Sequence, residues 1–538
     1  MSSPEARKRA ADPNRSMRPR ASGTSCEKWY ANPTTQPASP DQAQSLEPED
    51  DDENGSGSTR TPTTHQHPSP PESVFKRAIE QSYETLDQSF LFGSRKTNVD
   101  LSALHPPQAQ ILKLWQVYLE NVDPLLKVTH TPTLQSRIIN AAFDIANIGH
   151  TLEALMFGIY CVAVLSLDED ECRGVVGSPR DELLTRFRFA CQQALVNCGV
   201  FRSGERESLT ALFLYLISVR PDTDPRSLSS MLCVAMRNAQ RMGLHLESCN
   251  RRFPALEAEL RRRLWWSLML FDHRICEMSD HKTSLLTPTW DCLPPLNVND
   301  LDLRPEMKSP PPPHPQPSEA LFPVLRSTLA DFTRHSAFHL DFTNPALKPI
   351  AKDLGPDPFT TLSAIITEKY LQHCNPENPI HSLVLQTAHG QLSKSRLLEQ
   401  YSTFSSSPSS TTTNNSTNHL SSSPSSTSPT HPNPDSPITH AITQLQSDTS
   451  LMTSPLTKPF RWLTHYNFPS PAYIYLIQDL KRRPLSVHAD RAWEAMDANY
   501  LARFEDMARD TPMADYLGRV VSLAWAAREG VRMKKGGM

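Results

Sequence analysis

The chain has 538 residues and a net charge of −4, with 54 lysines and arginines against 58 aspartates and glutamates. That balance excludes a uniformly basic coat for nucleic acid and leaves room only for a local patch. Ten cysteines without a C-x2-C pair, behind a polar, arginine-rich start, read as small core residues of a reducing compartment.

Residues 1–71 hold few large apolar side chains beyond Met17, Trp29, Tyr30 and Leu46, so they read as a disordered tail. Within it Arg7, Lys8 and Arg9 open a basic arm that continues to Arg20, and Glu47 to Glu53 form an acidic block. Both fit a solvated tail; the sharper readings are a nuclear-import signal and a protein-contact segment. From residue 72 helical periodicity takes over. "PPQAQILKLWQVYLENV" places Ile111, Leu114, Trp115 and Tyr118 on one stripe behind prolines suited to a first turn. "ALMFGIYCVAVL", Ala154 to Leu165, is too short to span a bilayer and reads as a core helix. Ser178 as N-cap, Pro179 at the first helical position, Asp181 in the first turn and Gly199 as the stop bound the next helix. Leu209 to Val219 is another, and Asp224, Pro225 and Gly243 repeat the same grammar.

"RRRLWWSLMLFDHRICEMS", Arg261 to Ser279, sets arginines beside tryptophans. Leu264, Trp265, Leu268, Phe271 and Ile275 recur at helical steps and Trp266 widens the stripe, which makes a core helix. Consecutive arginines point to different faces and suit a wet helix end better than one phosphate backbone. Glu257 and Glu259 stand four residues before Arg261 and Arg263, at pairing distance. Asp272 and Arg274 interrupt the apolar run, so at least one of them needs an ion pair or backbone partners.

Farther on, residues 309–318 are a proline-rich linker expected to be extended. Residues 319–404 continue the helical pattern, residues 405–437 are a Ser/Thr/Pro-rich disordered insertion, and residues 438–538 are a C-terminal helical part. No alternating strand pattern occurs, so the fold class is all-α. Nor does the chain hold a Gly-rich phosphate loop, a G-x-S-x-G elbow or an H-E-x-x-H pair. No catalytic or metal residue is assigned and no enzyme activity is expected.

Four segments carry a resemblance. "LWQVYLENVDPLLKVTHTPTL" (114–134), "AMRNAQRMGLHLE" (235–247), "EAELRRRLWWSLMLFDHRICEMSD" (257–280) and "TPTWDCLPPLNVNDLDLRPEM" (287–307) resemble, in order and spacing, the fungal-specific transcription factor domain. This is the regulatory middle region of fungal zinc binuclear-cluster transcription factors. The match covers about residues 86–305 well, within a domain set at 72–308, and extends more weakly through 460–484. Its architectural positions are Trp115, His130, His245, Arg262, Trp265, Trp266, Asp272, Asn297 and Asp300.

The resemblance implies a multi-helix regulatory domain, a nuclear location and control of transcription, with a secondary-metabolite gene cluster as the target such proteins often have. It also implies an N-terminal cluster of six cysteines holding two zinc ions. This N-terminus has Cys26 alone, so zinc is expected only if such a cluster exists, and no other cofactor is expected. The expected partners are other transcription factors or co-regulators, with DNA reached indirectly or not at all, no membrane, and a homodimer as one arrangement. A small-molecule effector would find its cavity among the Ala154, Leu214 and Trp265 helices. The alternative is an all-α ligand-binding or scaffold protein without transcriptional output.

Overall fold

The computed structural model describes residues 100–278, 286–355, 357–406 and 436–504, with scattered residues between 518 and 533. The basic arm of Arg7, Lys8 and Arg9, the acidic block and most of the Ser/Thr/Pro-rich insertion lie outside the described residues. Every regular element among the described residues is a helix, so the fold is all-α. None of these helices is long and apolar enough to cross a membrane.

Helix α1 (Gln108–Val117) buries Ile111, Leu114 and Trp115 and runs into a π-helical turn, Tyr118–Val122, and one α-turn, Asp123–Leu126. Its prolines stand just before the first turn, with Pro107 as N-cap. Helices α2 (Thr131–Phe143), α3 (His150–Leu165) and α4 (Glu169–Val176) follow, the last opened by a capping box between Asp168 and Glu171. Helix α5 (Arg180–Asn197) starts one residue later than its grammar predicts. Pro179 keeps an extended ψ of 141° and is itself the N-cap, so Ser178 lies outside and makes no cap bond. Gly199 ends α5 in the left-handed region, as expected of a stop.

Helix α6 (Arg206–Val219) packs on α3, which is also covered by α5. Helix α3 is buried from Glu153 to Leu165. The close approach needs Gly158: a Cβ there would sit 3.3 Å from the Ala211 carbonyl and 3.4 Å from the Leu214 Cβ. Helix α7 (Pro225–Arg241) is capped by Asp224, whose carboxylate accepts from the amides of Arg226 and Ser227. Helix α8 (Ala255–Met278) is the arginine–tryptophan helix, and α7 packs along it.

The longer helices that follow are α9 (Leu321–His335), α10 (Ala337–Thr343), α11 (Pro358–Lys369), α12 (Pro379–Ser406), α13 (Ser436–Thr453), α14 (Ser470–Arg482) and α15 (Ala489–Phe504), with single α-turns at Glu247–Asn250 and Arg461–Thr464. Two apolar cores organise them. The larger runs from Leu101 to Leu463 in sequence, and the smaller gathers α13, α14 and α15 around Ile442, Tyr473 and Met496. Helix α12 serves both, giving Leu383, Val384 and Ala388 to the first and Leu397 to the second.

Candidate functional site

Charged residues inside an apolar helix must find partners, and the partners locate the site. Arg261, Arg262 and Arg263 are all buried, so they do not form the wet helix end expected from sequence. The neighbouring elements cover them. Arg262 donates to Glu247 from Nη2 at 2.6 Å and from Nε at 3.1 Å, and its Nη1 lies 3.5 Å from Glu259. Glu247 also accepts the Leu293 amide at 3.3 Å. Burial works against the Glu247 charge, but the Arg262 guanidinium and these donors hold its pKa below the usual range.

Arg263 donates to Glu259 at 3.1 Å and to Asp300 at 2.9 Å. Glu259, fully buried, takes the Leu296 amide as well at 3.0 Å. Asp300 in turn accepts from the Lys127 ammonium at 3.2 Å and the Thr131 amide at 3.3 Å. His130 Nε2 lies 2.8 Å from the Asp300 carbonyl, which fixes the proton on that nitrogen. Lys127 also reaches Asp123 at 2.8 Å and Glu319 at 3.0 Å. Its backbone is left-handed (φ 46°), a conformation that costs a non-glycine residue about 1–2 kcal/mol. Three carboxylates on one ammonium hold it there. Burial alone would strip the Lys127 charge, and Asp123 and Asp300 reverse that and raise its pKa.

Asn297 closes the assembly. Its amide nitrogen donates to the carbonyls of His314 and Gln316 at 2.8 Å each. Its oxygen accepts from the Ser318 hydroxyl at 2.8 Å and the Ser318 amide at 3.3 Å. The proline-rich stretch is therefore pinned against the 297–302 loop.

One pairing expected from spacing does not form. Glu257 takes Arg206 of α6, at 3.0 Å, instead of Arg261. Arg261 points to the preceding turn, donating to Asn250 at 2.9 Å and to the Met242 carbonyl, with its guanidinium 4.3 Å from the Phe253 ring centre. The reason is geometric: Gly243, left-handed at φ 75°, turns the chain so that these acceptors meet Arg261. Arg274 meets the expectation of a partner, donating to Glu277 and to the Tyr466 carbonyl at 2.7 Å each.

The aromatic positions form a second layer. Trp265 and Trp266 both meet Trp290 edge-on, at 5.4 and 5.1 Å between ring centres. Trp266 donates to the Leu293 carbonyl at 2.9 Å. Arg334 covers Trp290 at 3.9 Å and donates to its carbonyl. The His245 ring lies 5.7 Å from Trp265, and its backbone carbonyl accepts the amides of Asp291 and Cys292. Trp115 stacks on Tyr118 at 5.5 Å. Asp272 is buried one turn before Cys276, whose thiol lies 3.9 Å from it.

His130, Arg262, Asn297 and Asp300 therefore meet in one dry ionic clasp. Trp265, Trp266 and His245 pack beside it, while Trp115 and Asp272 belong to other parts of the same core. Lys127, Asp123, Glu247 and Glu319 complete the clasp and were not singled out in the sequence. The available signal was a lysine and an aspartate inside the apolar run "VDPLLKV", where a charge needs company. A second such centre was also missed. Asp448 of α13 takes the Arg503 guanidinium and, at 2.7 Å, the Asn499 amide of α15. Among the described residues no group of three or more His, Cys, Asp or Glu is placed to hold a metal ion. Arg262 and Arg263 are buried and paired with carboxylates, while Nη2 of Arg263 has no partner among the described residues.

Ala154, Leu214 and Trp265 are each packed to zero exposure. A cavity of about 120 Å3 lies instead beside the later half of α8, walled by α9, α12 and α13.

Comparison with known proteins agrees with the motif geometry. The model of the "fungal specific transcription factor domain" matches residues 115–335, which contain the whole clasp. The transcriptional regulator AacuB of Aspergillus aculeatus is 54% identical over 461 residues, 85% of this chain and 60% of that protein. The transcriptional regulator nsrM of Aspergillus novofumigatus is 45% identical over 85% of this chain and 61% of its own length. The aurofusarin cluster transcription factor aurR2 of Gibberella zeae is 29% identical over 81% of this chain and 63% of its own. The chain thus spans about three fifths of the length of these relatives. No solved structure matches. Four signature segments meeting in one clasp, the domain match and the regulators that align with most of this chain lead to one conclusion: residues 115–335 are a fungal specific transcription factor domain.

Proposed function

We propose that this chain is a nuclear transcription regulator dedicated to one biosynthetic gene cluster. The observation that carries the reading is the 54% identity to a transcriptional regulator across 85% of the chain. Two more distant relatives, named for the aurofusarin cluster and for pyriculol/pyriculariol biosynthesis, support the pathway-specific part. Arg261, Arg262 and Arg263 of α8 are buried inside the fold, which favours a co-regulator that reaches DNA through another transcription factor. The Arg7, Lys8 and Arg9 arm is the proposed import signal.

Deleting the gene and measuring transcripts across the genome tests this. A change confined to a contiguous set of biosynthetic genes is expected, with a fluorescent fusion in the nucleus. Purified 538-residue protein should give no sequence-specific duplex complex at physiological salt until a partner factor is added. Unchanged transcripts together with a cytoplasmic fusion would sink the reading in favour of a scaffold. A tight specific complex of the protein alone would sink the co-regulator part only.

A further inference from the structure

The buried cations of the clasp all end on carboxylates or carbonyls. Arg326, on α9, does not. Its guanidinium carbon lies 5.5 Å from the centre of the Phe322 ring. Burial alone acts on its charge and pulls its pKa down to about 10. Arg326 is half-buried, and no hydrogen bond or ion pair to a described residue offsets the partial loss of water around its guanidinium.

Arg326 lines the 120 Å3 cavity together with Arg274, Lys394 and a single carboxylate, Glu277. Glu277 is already committed: Lys394 lies 2.6 Å from it, Arg274 2.7 Å and His273 3.5 Å. Its negative charge is thus used up by neighbours, and the cavity keeps a positive surplus. The excess reaches Arg220, whose pKa falls to about 9, by burial first and with repulsion from Arg274 and Arg326 adding to it. A second unsatisfied group faces the same space. Gln444 of α13 lines the cavity, is only 7% exposed, and its side-chain oxygen has no donor. Leu270, Leu329 and Phe468 supply apolar wall.

We propose that this cavity binds a small amphipathic hydroxy-carboxylic acid. The carboxylate accepts a forked pair of hydrogen bonds from Arg326, a hydroxyl donates to Gln444, and the ring or short chain packs on Leu270, Leu329 and Phe468. Size limits the occupant: drug-sized ligands use pockets of about 300 Å3 and above, so this one takes a single-ring or short-chain molecule. A carboxylate suits one free guanidinium beside apolar wall better than a phosphate dianion, which needs more donors. The site joins α9, within the matched domain, to α12 and α13 beyond it, so its occupancy would tie the two cores together. Use of the site as an effector switch rests on the regulatory reading above; the binding step does not.

The test uses the purified full chain and three probes: 4-hydroxybenzoate, benzoate and 4-hydroxybenzamide. Calorimetry and thermal melting at pH 7 should show saturable binding of 4-hydroxybenzoate, weaker binding of benzoate, and a loss of about tenfold or more for the neutral amide. Arg326→Gln should lose about tenfold as well, with Arg326→Lys retaining part of the affinity. Gln444→Leu should erase the difference between hydroxybenzoate and benzoate. Equal binding of acid and amide would overturn the proposal, as would undiminished binding by Arg326→Gln or no saturable binding of any probe up to about 10 mM. If Arg326→Gln does not fold, the acid–amide comparison and Gln444→Leu still decide. Binding without any transcript change on feeding the acid would count against the switch and leave the site standing.

Discussion

At the scale of single residues, Trp265 shows how much of the fold one side chain carries. It is fully buried, meets Trp290 edge-on and packs near His245, and its indole nitrogen has no acceptor among the described residues. Its worth is therefore packing and area rather than a hydrogen bond. Trp265→Ala should cost about 3–5 kcal/mol in a denaturant titration. A midpoint within error of wild type would refute the core assignment. Trp266, its neighbour, adds a bond to the Leu293 carbonyl and so fastens the following loop as well.

Between elements, the clasp decides the arrangement. It joins the turn after α1, the turn before α8, α8 itself and the 297–302 loop through charges that are buried except at Glu319. Removing one member strands the others. Arg263→Met should destabilise by about 3–5 kcal/mol, since Glu259 and Asp300 stay buried without it. The pair Arg137–Glu207 is the control: its side chains are 42% and 26% exposed, and Arg137→Ala should cost no more than about 1 kcal/mol. Equal losses from the two variants would mean that the clasp is not load-sharing between elements. Much of this level was legible beforehand. Periodicity placed α1, α3, α6 and α8, and punctuation by Asp224, Gly199 and Gly243 set several ends correctly. Spacing found the Glu259–Arg263 pair because both lie on one helix. It failed for Glu257 and Arg261, because their real partners, Arg206 and Asn250, come from other elements. No local rule reaches a contact such as Lys127 to Glu319, nor the cavity, which depends on how α12 and α13 close over α8.

For the molecule as a whole, buried and half-buried histidines set the response to acid. Burial pulls His273 down to about 4 despite Glu277 beside it. Burial likewise lowers His245, His339 and His465. The unfolded chain takes up these protons near pH 6.5, while the folded chain refuses them until a lower pH. Unfolding therefore binds protons in that window, and stability falls as pH drops from about 6.5 toward 4. The lowered carboxyls, Glu247 and Asp300, act in the same direction at lower pH still, as their stabilisation is lost below the ordinary carboxylate range. The melting temperature should fall steadily from pH 7 to pH 5, and His273→Gln should flatten part of that slope. A melting temperature that is level or rises toward pH 5 would contradict neutral burial of these rings.

The long reach of the clasp also bears on how the chain is made. Lys127 and Glu319 are 192 residues apart, and Lys127 and Asp300 are 173 apart. On a ribosome adding roughly 5–20 residues per second, Lys127 waits about 10–40 s before Glu319 is even synthesised. Through that interval Lys127 and Asp123 have only each other and water, and the apolar stripe of α1 has only part of its cover. The segment is then a natural client for chaperones, and ribosome pausing before residue 319 should be more harmful to yield than pausing after it.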